Sequence, residues 1–119
     1  MVVTFWENKM TSVVFSEKAL VEPVGEGVSR KILAYNETMM QVEVLFEKGG
    51  VGSVHTHPHT QVTYVLEGTF EFTIDGKPVV VKKGDTILFP PEIPHGAKCL
   101  EKGAVLDVFT PYRADFLKA

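Results

Sequence analysis

The alternation of apolar and polar side chains with a period of two residues is the feature that most constrains the fold of this chain. On an extended backbone, such alternation places successive side chains on opposite faces, whereas an amphipathic helix repeats about every 3.6 residues. The alternation is sharpest in two segments, whose shared faces consist of Met40, Val42, Val44 and Phe46 and of Phe70, Phe72 and Ile74. The pattern predicts an all-β chain.

Turn signals divide the chain into short strands. The predicted strands cover residues 29–34, 39–47, 62–66, 70–74, 78–82, 86–89 and 104–110. Asp75-Gly76 predicts a tight hairpin, because a type I′ turn needs positive φ angles that glycine adopts without strain. Residues 15–20 fit either a strand or a short helical turn, residues 22–27 are expected to form a loop, and residues 114–118 could form one helical turn. So many short strands favour a sandwich or barrel over an α/β fold.

Composition limits the class of protein. A chain of 119 residues suits one domain. Its mean hydropathy is +0.08, and the sequence contains no uninterrupted apolar run long enough to cross a membrane. The net charge of −3, with scattered Lys and Arg, argues against a nucleic-acid partner. Cys99 is the one cysteine, so no internal disulfide can form, and the first residues do not resemble a secretion signal. We therefore expect a cytoplasmic protein.

Three of the four histidines, His55, His57 and His59, fall within five residues. On an extended chain, His55 and His57 point to the same side, so both imidazoles can reach one metal ion at about 2.0–2.2 Å. The spacing alone fits equally a solvated loop that happens to be rich in histidine.

Two spaced motifs make the metal interpretation more specific. Glycines at 49 and 68 flank His55, His57 and Gln61 at the intervals of the first cupin motif, with Gln61 at the position usually held by glutamate. Gly84, Pro90 and His95 match the second cupin motif. The chain differs from that motif at Glu92, where glycine is usual, and at Cys99, where asparagine is usual.

The resemblance to cupins implies a single domain over residues 1–119, folded as a jelly-roll barrel, also called a double-stranded β-helix. Residues 1–27 would form an N-terminal strand or arm, residues 28–112 the barrel core, and residues 113–119 a tail. Small cupins pair as homodimers, so the resemblance also implies a homodimer.

The resemblance further implies a site for one divalent transition-metal ion (Ni, Zn, Mn, Fe or Co), held by His55, His57, Gln61 and His95. A neutral amide ligand leaves the charge of the ion uncompensated, which makes it a stronger Lewis acid and disfavours dioxygen chemistry. His59 lies outside the ligand spacing and is expected beside the site or in solvent. Without a metal, the same histidines would line a polar ligand pocket.

A second cluster lies near the end of the chain. Val105, Asp107 and Phe109 share one face of a strand, which points either into the barrel or outward, and the residues alone leave that choice open. Arg113 offers a planar fork for a carboxylate, or it is a solvated chain end.

The segments HTHPHTQ (55–61) and DVFTPYR (107–113) resemble the small pectin-degradation cupins, although that family usually has glutamate where this chain has Thr60. This resemblance implies a metal-dependent enzyme that converts 4,5-unsaturated uronates, anionic sugars, into the linear 5-keto-4-deoxyuronate. It also implies catalytic roles for Asp107, as acid and base, and for Arg113, with Phe109 and Arg113 contacting the substrate. The alternatives are a non-catalytic sugar- or anion-binding module and another metal-dependent lyase, isomerase or dioxygenase.

Overall fold

The computed structural model describes residues 2–4 and 11–117, within which ten β-strands and two short 3₁₀ turns occur. The strands are β1 (Val2–Thr4), β2 (Ser12–Val14), β3 (Val21–Gly25), β4 (Val28–Tyr35), β5 (Met40–Phe46), β6 (Val51–His55), β7 (Thr60–Ile74), β8 (Lys77–Lys82), β9 (Thr86–Phe89) and β10 (His95–Thr110), and the 3₁₀ turns are Ser16–Lys18 and Ala114–Leu117. In this part of the chain, no helix has the length and apolar character needed to cross a bilayer. The sequence leaves open whether Trp6 packs in the core or on a surface that binds a partner, and this residue lies outside the described residues.

Two long antiparallel strands, β7 and β10, organise the barrel. The first half of β7 pairs with the second half of β10, with β5 and β9 on either side of them. The second half of β7 pairs with the first half of β10, and β8 and β6 flank that pair. β3 and β4 extend the first sheet beyond β5, while β1 and β2 form a separate two-stranded sheet. Each long strand therefore belongs to both sheets of the barrel.

The two halves of each long strand meet at a close contact between backbones. Gly68 of β7 has a φ of +84°, and a Cβ atom there would lie 2.5 Å from the carbonyl oxygen of Glu101. The β7–β10 register shifts at the same place, between Cys99 and Ala104. Only glycine fits this contact without moving the facing backbone.

The structure confirms the all-β prediction and most of the strand positions. The predicted strands 62–66 and 70–74 are halves of one strand, β7, because pairing with β10 continues on both sides of Gly68. The last strand starts at His95 rather than at residue 104. The Asp75-Gly76 hairpin is confirmed, since both residues have positive φ and Ile74 pairs with Lys77.

The prediction of a loop over residues 22–27 is wrong. β3 occupies Val21–Gly25 and pairs with β4 at the edge of the sheet. Pro23 does not prevent this, because an edge strand tolerates a residue that lacks a backbone N–H donor. Of the two alternatives for residues 15–20, the helical turn is the one formed, over Ser16–Lys18.

The core lies between the two sheets. Its larger cluster consists of Val28, Phe46, Val65, Phe70, Phe72, Val81, Phe89, Cys99 and Val105. A smaller cluster of Met40, Val42 and Phe109 packs against Phe116 of the C-terminal 3₁₀ turn. This packing holds the C-terminal turn against the barrel.

Both departures from the second cupin motif fall at backbone irregularities. Glu92 has a φ of +66°, a conformation that costs a side-chain-bearing residue about 1–2 kcal/mol, and its N–H donates to the carbonyl oxygen of His57 at 2.8 Å. The Cys99 thiol donates to the carbonyl oxygen of Glu101 at 3.0 Å, at the bulge in β10.

The Glu92→Gly variant is expected to raise the free energy of unfolding by about 0.5–1 kcal/mol, because relief of the backbone strain exceeds the extra entropy that glycine loses on folding. Urea denaturation measures this change. Lys98→Gly, at an exposed position on β10 with no positive φ, is the control and should lower stability. A loss of stability in Glu92→Gly would show that its backbone conformation is not strained.

Candidate metal centre

Three histidines from two segments of the chain lie close together. His55 ends β6, His57 lies in the segment between β6 and β7, and His95 begins β10. Their candidate ligand atoms lie within 4.8 Å of one another. His57 and His95 are buried, whereas His55 is exposed. β6 ends before His57, so the two histidines of the His-x-His pair converge without lying on one strand.

Hydrogen bonds to the backbone orient two of the imidazole rings. His55 Nδ1 donates to the carbonyl oxygen of Ser53 at 2.8 Å, and His95 Nδ1 donates to that of Ile93 at 2.8 Å. Each ring therefore carries its lone pair on Nε2. His95 Nε2 is buried with no hydrogen-bond partner among the described residues. A buried lone pair without a donor is the arrangement that a metal ligand requires.

Gln61, the second residue of β7, adds an oxygen to this cluster. Its Oε1 lies 2.9 Å from His57 Nε2, and its Nε2 donates to Thr63 Oγ1 at 2.9 Å. The hydroxyl of Thr63 in turn donates to Asp107 Oδ1 at 2.6 Å. Because the Thr63 hydroxyl donates to Asp107, it can only accept from Gln61, so the carbonyl end of the amide faces the histidines.

Burial favours the neutral form of two of the imidazoles, those of His57 and His95. Desolvation is the main cause that lowers the pKa of His57 to about 4; the hydrogen bond with Gln61 acts in the opposite direction, and the positive charge of Arg113 adds to the lowering. Desolvation also lowers the pKa of His95. The neutral imidazole is the form that binds a metal ion, so the rings of His57 and His95 are in that form at neutral pH.

Asp107 points inward from β10 and lines the same cavity as Gln61 and His95. Burial raises its pKa to about 6, although the hydrogen bond from Thr63, that from Gln61 and the charge of Arg113 act in the opposite direction. Of the two orientations that the sequence allows for this face of β10, the inward one is formed. A carboxyl group with a pKa near neutrality can both accept and donate a proton.

Arg113 is buried rather than a solvated chain end. Its Nε and Nη2 donate to the two carboxylate oxygens of Asp115 at 3.1 and 2.9 Å. Its guanidinium carbon lies 5.1 Å from the ring centroid of Phe109 and 4.2 Å from that of Phe116. One edge of the fork is therefore occupied by a carboxylate of the chain itself, and no hydrogen-bond partner of Nη1 is found among the described residues.

His59 lies beside the cluster without joining it. Its Nε2 donates to the carbonyl oxygen of Tyr112 at 3.1 Å, and its ring packs 5.2 Å from that of His57 and 6.1 Å from that of Phe109. His59 thus links the histidine segment to the residue that precedes Arg113.

Several of these groups border one cavity of about 180 Å³ inside the barrel. Its polar lining includes His55, Gln61, His95, Asp107 and Arg113, and most of its remaining lining is apolar. Such a cavity, with convergent polar groups on an apolar wall, is typical of a site for a small polar molecule.

Sequence reasoning missed four residues of this region: Arg30, Thr63, Asp115 and Phe116. A signal existed for Thr63, which shares a strand face with Gln61 by the period of two. Arg30 shares a face with Val28 in the same way. Nothing local pointed to Asp115 or Phe116, because their partners are set by how the C-terminal turn folds back onto the barrel.

In the metal-free protein, Asp107→Asn should raise the free energy of unfolding at pH 7 by about 3 kcal/mol. The folded carboxyl has its pKa raised to about 6, so ionising it costs stability as the pH rises from about 4 to 6. Asparagine avoids this cost, and the gain should disappear below about pH 4. Urea denaturation at several pH values measures the gain, with Glu71→Gln on the outer face of β7 as control. An equal gain at pH 4 and pH 7 would contradict the assignment.

The chain is similar in sequence and in structure to known proteins. Residues 42–109 match the family described as Cupin domain. The pectin degradation protein KdgF of Dickeya dadantii is 43% identical over 98 residues, which cover 81% of this chain and 89% of that protein. KdgF from Halomonas sp. is 35% identical, with a TM-score of 0.86 over 90% of this chain and 99% of that one.

An RmlC-like cupin from Shewanella frigidimarina is 41% identical, with a TM-score of 0.84 over 87% of this chain and 94% of its own. These matches extend over nearly the whole length of the related proteins and confirm the jelly-roll fold that the motif spacing implies. The chain therefore belongs to the cupin family.

Proposed function

We propose that this protein is a metal-dependent enzyme that converts a 4,5-unsaturated uronate monosaccharide into the linear 5-keto-4-deoxyuronate. Its similarity to two KdgF proteins, one of them named for pectin degradation, supports a substrate derived from pectin. A cavity of about 180 Å³ suits a single sugar ring. An anionic ligand matches the positive charge that Arg113 brings to the cavity wall.

The observation that carries the proposal is the hydrogen-bonded chain from Gln61 through Thr63 to Asp107. It fixes a proton-transferring carboxyl at a set position relative to the histidine cluster, in a cavity that both border. A binding module has no need of a buried carboxyl whose pKa is raised to about 6.

The reaction is an isomerisation, so it needs no oxidant and no added water. The C1 hydroxyl loses its proton, the bond between C1 and the ring oxygen breaks, C1 becomes an aldehyde, and the ring oxygen becomes the C5 ketone as C4 gains a proton. Asp107 is proposed to take up and deliver the proton, because a carboxyl with a pKa near 6 serves both steps near neutral pH.

The donor set fits a metal, and we propose that His55, His57, Gln61 and His95 hold one divalent ion. Nickel, zinc, manganese, iron and cobalt all accept imidazole and amide oxygen. When bound, the ion would supply Lewis acidity toward sugar oxygens, undiminished by a carboxylate ligand. The backbone hydrogen bonds of His55 and His95 hold both rings in the tautomer that such an ion needs.

Arg113 is proposed to neutralise the substrate carboxylate, and Phe109 to form the apolar floor beneath the sugar ring. Phe109 is buried and packs 5.7 Å from the His57 ring, so it also keeps that imidazole in place. Asp115 holds the guanidinium of Arg113 in one orientation, which lowers the entropy lost on binding.

We further propose a cytoplasmic homodimer whose protomer is one domain over residues 1–119. β3 is the edge strand of its sheet and carries the exposed side chains of Val21 and Val24, so a second copy pairing there would cover an open edge. The single cysteine, which is buried, suits a reducing compartment.

The proposed reaction predicts loss of the conjugated-alkene absorbance when metal-loaded protein is mixed with freshly made unsaturated galacturonate. The loss should be faster than the spontaneous rate, should stop when a chelator removes the metal, and should return when metal is added back. Elemental analysis of the same preparation identifies the ion and should give about one per chain.

Asp107→Asn is the matched variant in this assay. It should lower kcat by about 10²–10⁴-fold while keeping its metal content, because it removes the proton-transferring group and no proposed ligand. Bound metal without acceleration in the wild type would overturn the enzymatic proposal and favour a sugar- or anion-binding module. Unchanged turnover in Asp107→Asn would remove Asp107 from the mechanism.

A further inference from the structure

We propose that Arg30 is a second substrate-binding arginine, whose free guanidinium edge binds the carboxylate of the sugar beside Arg113. This inference rests on the proposed function for the nature of the anion. It assigns to Arg30 a role in binding rather than in proton transfer.

Arg30 lies on the inner face of β4 and lines the cavity together with Val28. Its side chain is 19% exposed, and its Nε donates to Glu22 Oε1 at 2.7 Å, from the paired position on β3. Among residues 2–4 and 11–117, no acceptor is found for its Nη1 and Nη2 groups. Arg30 therefore brings to the cavity wall a cation whose described carboxylate partner, Glu22, contacts it only through Nε.

Phe116 connects the two arginines. The guanidinium carbon of Arg30 lies 3.9 Å from the ring centroid of Phe116, and that of Arg113 lies 4.2 Å from the same centroid. All three side chains border the cavity. Cation–π contacts hold the planes of both guanidinium groups without using their N–H donors. The donors of Arg30 other than Nε thus stay available to a ligand.

The carboxylates of Asp115 and Glu22 leave different numbers of N–H donors free on the two arginines. Asp115 takes the Nε and Nη2 edge of Arg113 through two hydrogen bonds, while Glu22 makes one bond to Nε of Arg30. Arg30 therefore keeps a complete Nη1/Nη2 edge, which matches the two oxygens of a carboxylate.

The sheet register separates Arg30 from the proton-transferring group. Asp107 pairs with Val42 on β5, and Val42 pairs with Ile32 on β4, the next inward residue after Arg30. Two strand spacings correspond to about 10 Å between backbones. Arg30 is thus placed to hold the substrate at a distance from Asp107, which predicts an effect on KM and little effect on kcat.

The test compares wild type with Arg30→Met, which keeps the apolar stem, and Arg30→Lys, which keeps the charge but loses the fork. Lys31→Met, the neighbouring cation on the outer face of β4, is the matched control. Calorimetry on metal-loaded proteins measures binding of saturated galacturonate, which carries the carboxylate but cannot react, and of neutral galactose. Steady-state kinetics with unsaturated galacturonate measure KM and kcat separately, and thermal melting with metal analysis confirms that each variant is folded and loaded.

Arg30→Met is expected to weaken galacturonate binding and to raise KM by about 10- to 100-fold, with kcat within about threefold of wild type and galactose binding unchanged. Arg30→Lys should show a smaller loss of galacturonate affinity. If Arg30→Met does not fold, Arg30→Lys takes its place in the test. Galacturonate binding and KM that are unchanged in both variants overturn the proposal, as does a wild type that does not bind galacturonate.

The binding and kinetic measurements give different outcomes for the role of Arg30 and for the proposed enzymatic function. Binding of galacturonate that depends on Arg30, in a protein without turnover, would retain the anion site and reject the enzyme. Turnover that is unaffected by loss of Arg30 would retain the enzyme and reject the role of Arg30.

Discussion

The antiparallel pairing of β7 with β10 is the interaction on which the rest of the structure depends. It runs from Thr60 opposite Thr110 to Ile74 opposite His95, and it carries both strands through both sheets. The same register sets Gln61 opposite Phe109 and Thr63 opposite Asp107. A slip of one residue would turn one strand's side chains to the other face and separate the candidate ligands from the carboxyl. One pairing thus determines the barrel and the site together.

Within the site, burial is the largest influence on the titratable groups whose pKa is shifted. Burial lowers the pKa values of His57 and His95 and raises that of Asp107, so every one of these groups favours its neutral form. Arg113 is the buried cation nearby, and Asp115 on the C-terminal turn balances it. In a cavity with neutral ligands, a divalent ion and an anionic sugar would compensate part of each other's charge, which would favour their binding together.

Sequence reasoning succeeded where the chemistry is local or is repeated at a fixed spacing. The alternation in β5 and β7 and the Asp75-Gly76 turn depend on neighbouring residues, and the structure has them where they were expected. The spacing around His55 and Gln61 identified side chains that the structure brings together with His95. It could not place His57 in a connecting segment beyond the end of β6.

Contacts between distant segments escaped prediction. The hydrogen bond from Thr63 to Asp107 joins residues 44 positions apart, and no pattern in either strand predicts it. The contact of Arg30 with Phe116 depends on the C-terminal turn folding over the barrel. β3 was missed because Pro23 and Gly25 are read as loop residues, although an edge strand tolerates both.

Anomalous X-ray diffraction from crystals of the metal-loaded protein, recorded at the absorption edge of the ion found by elemental analysis, tests the central claim most directly. The account predicts one strong peak at about 2.0–2.3 Å from one nitrogen each of His55, His57 and His95 and from Gln61 Oε1. A peak elsewhere, or a peak at the histidines with the Gln61 amide turned away, would contradict the proposed four-ligand site.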